Sequence, residues 1–271
     1  MDVKLPVAGL VAEAWGLAFR AALSSLPWLA GLMVTAGLYR VALYLHAGAI
    51  INLMLLVIVF AAGVAFSLRV YRRMLGASSG TFLKLAHANL SIYMAFLFVG
   101  VFIAFFLAIL PGILLEVSGR TDLDAKTDPA IVQAAFMDML PTAYGAVFIL
   151  ACALGLWALC FFAIRLLLVG AATISRGETM VFRTWPWTKG HALRLSIAAM
   201  ATHVGPFFAA IAINAALAPL LGTAPAGLFI GGALGVLLLA PFLLAGHGLA
   251  VSALPRLAPD AAELAEIATS G

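Results

Sequence analysis

Apolar residues in this chain gather into six long stretches separated by short polar connections. We place these stretches at residues 26–45, 47–70, 90–115, 143–173, 193–221 and 227–254. A helix needs about 20 residues to cross about 30 Å of hydrocarbon, and each stretch reaches or exceeds that length. The pattern therefore predicts an all-α fold, a polytopic bundle of six transmembrane helices.

The segment before the first stretch is apolar but interrupted by charge. Glu13 and Arg20 lie where a cleavable signal would need an unbroken apolar run. Trp15 and Phe19 stand among alanines and leucines, so we expect residues 1–25 to form an interfacial helix on the bilayer. The alternative is that this segment extends the first span. We predict a single integral domain with this helix, a bundle over residues 26–255 and a tail over residues 256–271.

The composition agrees with a membrane protein. Apolar residues make up 65% of the chain and charged residues only 10%, with a mean hydropathy of +1.15. A water-soluble fold has no means of burying that much apolar surface. The formal net charge is +4, but the basic residues lie beside the spans and form no basic face or tail. We therefore expect anionic lipid headgroups as partners, and no nucleic acid.

The basic residues favour one orientation. Two of them, Arg120 and Lys126, fall in the loop after the third span, and Arg40 is placed to snorkel at the far end of the first. The other twelve fall toward the opposite face: Lys4, Arg20, Arg69, Arg72, Arg73, Lys84, Arg165, Arg176, Arg183, Lys189, Arg194 and Arg256. The positive-inside rule then predicts a bacterial inner-membrane protein with both termini in the cytoplasm.

Spans two and three faintly resemble spans four and five. Each pair has an arginine late in its first span, followed by two glycines at an offset of about 96 residues. The matched positions are Arg69 with Arg165, Gly76 with Gly170, and Gly80 with Gly177. Because the two pairs lie two spans apart, they would form a parallel internal repeat about an axis along the membrane normal.

Residues 164–195 carry the least generic sequence in the chain. An arginine near the end of a span, a glycine turn and a pattern of the form SW-x-x-T-K-G come in this order at Arg165, Gly177, Thr184, Trp185, Thr188, Lys189 and Gly190, with threonine in place of the serine. The segment resembles the YciC-like family of bacterial inner-membrane proteins and the related membrane domain of some glycerophosphodiester phosphodiesterases. The resemblance implies a six-span bundle with two cytoplasmic re-entry elements, each containing a short helix. Pro186 departs from that pattern.

The same segment suits a membrane surface on physical grounds. Tryptophan favours the headgroup region, and basic side chains there reach lipid phosphates. Our candidates for a lipid or phosphate site are Arg165, Arg183, Trp185, Trp187, Lys189 and Arg194. The alternative is an aromatic and basic belt that only anchors a hairpin.

Polar residues inside the spans are the remaining candidates, because each is costly unless it meets a partner or water. They are Arg69, His203, Asn214 and His247. Two histidines without a neighbouring carboxylate or thiol make a poor metal site, so we expect no metal and no other cofactor. Asp122, Asp124 and Asp128 lack the glycine and distal glutamate of a calcium loop, and we interpret them as a solvated acidic loop.

No catalytic motif of any strength occurs in the sequence, which favours a protein that is not an enzyme. Our leading hypothesis is an integral membrane module that binds lipid, a membrane-protein partner or a second copy of itself. The alternative is a carrier or channel for a small solute or lipid, with a path lined by Arg69, Arg165, His203 and Asn214. An embedded enzyme comes third.

Overall fold

The computed structural model describes residues 5–76, 79–120, 122–123 and 126–259, and within these ranges the regular structure is helical. The predicted tail lies largely outside the described residues, as do Lys4 and Asp124. In chain order the helices are α1 Val7–Tyr44, α2 Ala49–Leu75, α3 Phe82–Val117, α4 Pro129–Met139, α5 Ala143–Leu166, α6 Val169–Arg176, α7 Ala192–Ala199, α8 Gly205–Leu221 and α9 Pro225–Leu257. A 3₁₀ turn at Pro186–Thr188 precedes α7, and a π-helical turn at Met200–Val204 joins α7 to α8.

Six helical segments of the described chain are long and apolar enough to cross a membrane. Four are single helices, α1, α2, α3 and α9, while Ala143–Arg176 combines α5 with α6 and Ala192–Leu221 combines α7 with α8. Large apolar side chains are exposed along most of them, as a lipid-facing surface requires. The prediction of an all-helical membrane protein with six spans is confirmed.

The N-terminal segment is not a separate element. Helix α1 runs without a break from Val7 to Tyr44, through the boundary that we expected near residue 25. Ser24 and Ser25 bond to carbonyls of the preceding turn, and Pro27 is accommodated inside the helix. At 1.5 Å per residue, α1 is about 57 Å long, so it extends beyond the roughly 30 Å of hydrocarbon. The alternative reading, a first span extended toward the N-terminus, describes the helix better.

The chain divides into two compact units, Ile92–Ala163 and the remainder, Met1–Ser91 with Ile164–Gly271. We call the larger one unit 1 and the smaller one unit 2. Unit 1 contains α1, α2 and α6 to α9 with the adjoining ends of α3 and α5, and unit 2 contains the rest of α3 and α5 with α4. The assignment of a single domain stays a prediction.

Unit 1 is built on the antiparallel pair of α1 and α9. A Cβ added at Gly232 would lie 2.9 Å from the carbonyl oxygen of Ala36 and from the Cα of Gly37. At the other end of the pair, a Cβ at Gly248 would overlap the carbonyl of Ala14. The two helices therefore approach so closely that glycine alone fits at these points. Leu29, Phe66 and Leu244, from α1, α2 and α9, share one buried cluster, so α2 packs against the same pair.

Unit 2 is organised around α4. Asp128 caps this helix by accepting a hydrogen bond of 2.8 Å from the backbone N–H of Ala130. Ala135 and Met139 of α4 pack against Leu114 and Leu115 of α3. The nearby Asp122 accepts a hydrogen bond of 3.1 Å from Arg120, and that contact lowers the pKa of the Asp122 carboxyl. Each of these two loop carboxylates thus has a partner within unit 2.

The close approach of α1 and α9 predicts a specific sensitivity to added volume. Gly248→Ala places a methyl group against the rigid backbone of Ala14, and overpacking of this kind costs about 1–3 kcal/mol. We expect a clearly lower melting temperature in detergent for this variant. Gly63→Ala is the matched control, because a Cβ at Gly63 of α2 meets nothing within 4 Å. Equal melting temperatures for the two variants would contradict the proposed packing.

Candidate functional site

Several connections of unit 1 meet at one end, which we call the basic end and define by Arg72, Arg176, Arg183, Lys189, Arg194 and Arg256. The backbone N–H of Gly80, just before α3, donates a 3.0 Å hydrogen bond to the carbonyl of Ile174 in α6. Lys84 donates to the carbonyl of Gly177, which ends α6. The two basic connections after spans two and four therefore lie together, which is the arrangement that an even number of spans produces.

The chain termini meet at the same end. Arg256 near the end of α9 forms an ion pair of 2.8 Å with Glu13 in α1. Arg176 donates a 2.8 Å hydrogen bond to the carbonyl of Pro259. Glu13 and Arg176, together with Leu17, Met74 and Val251, line a cavity of about 510 Å³. The basic end is thus held together by cations that bond to backbone carbonyls and to one carboxylate.

The glycines of the proposed repeat play different structural parts from those we matched. Gly76 and Gly177 are the equivalent pair, because each ends a helix with a positive φ, of 77° and 69°. Gly170 lies inside α6, where an added Cβ would meet the ring of Tyr71, and Gly80 packs on Ile174. The internal duplication stays a prediction, but its glycine alignment is wrong as we drew it.

The segment between α6 and α7 folds as consecutive turns. The resemblance implies a short helix here, whereas the structure has turns that lead into the 3₁₀ turn Pro186–Thr188. Pro186 lacks the N–H that a longer helix would need at this point, and Gly190 adopts a φ of 78°. The hydroxyls of Thr184 and Thr188 bond to carbonyls three residues earlier, and both side chains are fully buried. The segment is thus packed onto unit 1.

Two arginine–tryptophan contacts fix this segment. The guanidinium of Arg165 lies 4.9 Å from the ring centre of Trp185, and that of Arg176 lies 4.6 Å from the ring centre of Trp187. Arg165 is only 7% exposed, so its contact is worth more than one in water. The structure therefore gives Arg165, Trp185 and Trp187 a packing role. The sequence offered no signal that Arg176 would join them, since 11 residues separate it from its tryptophan.

The remaining basic candidates differ in their electrostatic state. Arg183 is exposed and forms an ion pair of 3.0 Å with Glu178. Lys189 and Arg194 flank the start of α7 and take part in none of the ion pairs within the described ranges. Leu193, between them in sequence, is 75% exposed. Uncompensated positive charge beside an exposed apolar side chain suits the headgroup and upper acyl region of a bilayer.

The polar residues inside the spans occupy separate places. Arg69 of α2 points its Nε at the Ser24 carbonyl of α1, at 3.5 Å. His203, in the π-helical turn, contacts the Thr202 hydroxyl at 2.8 Å and packs its Nε2 against Gly246 of α9. His247 accompanies Tyr71, with ring centres 4.4 Å apart.

Asn214 faces α9 farther along the same helix pair. Its side-chain oxygen lies 4.0 Å from the place where a Cβ on Gly235 would stand. A second cavity of unit 1, of about 680 Å³, lies near the ends of α1 and α8 and the start of α9. Neither this cavity nor the one at the basic end is lined by Arg69, Arg165, His203 or Asn214. The path that a carrier would need is not among these two cavities.

Fold and site together define a multi-pass helical membrane protein with a structured basic end. Comparison of the chain with protein-family models, with curated proteins and with solved structures finds no match. The resemblance to the YciC-like family therefore stays a prediction.

The arginine–tryptophan contacts predict which aromatic residues hold the segment in place. Trp185→Leu removes the ring that covers the buried guanidinium of Arg165, and a desolvated cation–π contact is worth about 2 kcal/mol. We expect a lower melting temperature and faster proteolysis of the segment. Phe182→Leu is the control, because Phe182 is 60% exposed and its substitution changes little buried area. A melting temperature for Trp185→Leu equal to that of the control would show that the contact is not stabilising.

Proposed function

We propose that this chain is a non-enzymatic integral membrane protein of a bacterial inner membrane that binds anionic phospholipid at its basic end, with both termini in the cytoplasm. The observation that carries the proposal is the state of Lys189 and Arg194, two cations with no carboxylate partner in the described ranges. They stand at the start of a membrane-spanning segment, where the helix dipole adds further positive potential. A phosphate group placed there relieves that electrostatic conflict.

The surroundings favour a lipid over a soluble anion. Phe182 and Leu193 are exposed apolar side chains in the same stretch of chain, so an amphiphile gains contacts for its acyl chains as well as for its headgroup. The neighbouring cations Arg165 and Arg176 are already engaged with tryptophan rings. The binding surface is therefore narrow and centred on the residues that precede and begin α7.

Lipid retention tests this proposal directly. Each basic residue near an anionic membrane contributes about 1 kcal/mol, so the double variant Lys189→Gln and Arg194→Gln should bind phosphatidylglycerol about thirtyfold more weakly. Native mass spectrometry of protein extracted from phosphatidylglycerol vesicles gives the number of retained lipids. The control is Arg120→Gln with Lys126→Gln, which removes the same charge from unit 2. The proposal fails if wild-type protein retains no lipid or if both double variants retain the same amount.

Cysteine accessibility separates this function from the carrier. A water-filled path would let a soluble thiol reagent reach cysteines placed at positions 203 and 214, in a chain whose Cys152 and Cys160 are replaced by alanine. We expect protection at both, because the native side chains pack against Gly246 and Gly235 of α9. A cysteine at exposed position 189 serves as the positive control. Rapid modification at both intramembrane positions would favour the carrier.

A further inference from the structure

A second cation of unit 1 lies at the end opposite the basic end. Arg40 is near the end of α1, 33 residues beyond the start of that helix, and it lines the cavity of about 680 Å³. We call this region the Arg40 cavity; its other lining residues are Leu43, Tyr44, Ala218, Pro219, Gly222, Thr223 and Leu228. The cavity thus combines one guanidinium and two hydroxyl groups with an otherwise mainly apolar wall.

The guanidinium of Arg40 is held across α9. A Cβ added at Gly231 would lie 2.6 Å from one terminal nitrogen of Arg40 and 3.1 Å from its central carbon. A Cβ at Gly232 would lie 3.1 Å from the Cβ of Arg40. The two glycines therefore leave the space in which this side chain rests. Arg40 does not simply snorkel away from the bundle, as the sequence suggested, because its charged end is seated on the neighbouring helix.

The charge of Arg40 has no acceptor from the described protein. Within the described ranges no ion pair or hydrogen bond engages its nitrogens. Gly231 is six residues into α9, which corresponds to about 9 Å from the start of that helix. An unpaired cation at that depth is costly, and a guanidinium offers a planar pair of donors that match a phosphate oxyanion.

We propose that the Arg40 cavity binds one anionic phospholipid, with its phosphate on the guanidinium of Arg40 and an acyl chain along Leu43 and Leu228. The charge selects an anionic headgroup over a zwitterionic one, because a choline group carries its own positive charge to the same place. The hydroxyl groups of Tyr44 and Thr223 add hydrogen-bond donors for the headgroup. This site lies apart from the basic end and does not depend on Lys189 or Arg194.

Photocrosslinking locates the lipid. Purified protein in nanodiscs is illuminated with a diazirine-labelled phosphatidylglycerol, and the modified peptides are identified by mass spectrometry. We expect labelling within residues 40–45 and 218–228. Loss of a charge-assisted bidentate contact in Arg40→Gln should weaken this labelling about tenfold, while Arg40→Lys, which keeps the charge but not the planar fork, should lie between.

Matched controls make the result decisive. Arg20→Gln removes a charge from the same helix at the basic end, where the Arg20 side chain bonds only to Gly16, and it should leave the labelling unchanged. All variants must keep the wild-type melting temperature and elution volume, and Arg40→Lys provides the test if Arg40→Gln does not fold. Equal labelling in Arg40→Gln and wild type, or equal labelling by a phosphatidylcholine probe, overturns the proposal. Displacement of the probe by millimolar inorganic phosphate overturns it too, because the site would then be one for a soluble anion.

Discussion

The backbone approach of α1 and α9 is the contact on which the rest of unit 1 depends. In a bilayer no hydrophobic effect drives one helix onto another, so association relies on close van der Waals contact, and small residues permit that contact. Gly37 and Gly232 provide it toward one end of the pair, and Ala14 and Gly248 toward the other. The pair then offers a surface on which α2 packs through Phe66, and it brings Glu13 within reach of Arg256. The basic end is thus a consequence of how the first and last helices meet.

Glycine serves a second purpose along α9. Its glycines leave room for polar side chains of other helices: Arg40 against Gly231, Asn214 beside Gly235 and His203 against Gly246. A polar group in a span must be kept from lipid, and a groove without side chains does so without enlarging the interhelical distance. Helix α9 therefore both sets the close approach to α1 and holds the polar side chains that would otherwise face hydrocarbon. The same groove gives the Arg40 cavity its charged wall.

The sequence allowed the helices to be predicted better than their partners. Span positions follow from apolar length, which the bilayer imposes on each segment separately, so the six spans were found within a few residues. The continuity of α1 was missed because Glu13 and Arg20 mark a change in polarity, and a change in polarity does not require a break in a helix. The role of Trp185 was missed for a different reason: its partner Arg165 is 20 residues away, and only the folded path of the segment brings them together. Arg40 was recognised as exceptional, but its seat on Gly231 depends on helix pairing that apolar periodicity does not encode.

The pairing of the first helix with the last also sets the order in which this protein can assemble. About 180 residues separate the end of α1 from the start of α9, and at about 5–20 residues per second their synthesis takes roughly 10–40 s. During that interval the glycine face of α1 has no α9 to receive it, although α2 is already present. The bundle must therefore remain open on one side until the final span leaves the ribosome. Its completion is an event at the end of translation, and a chain truncated before α9 loses the contact that joins its two ends.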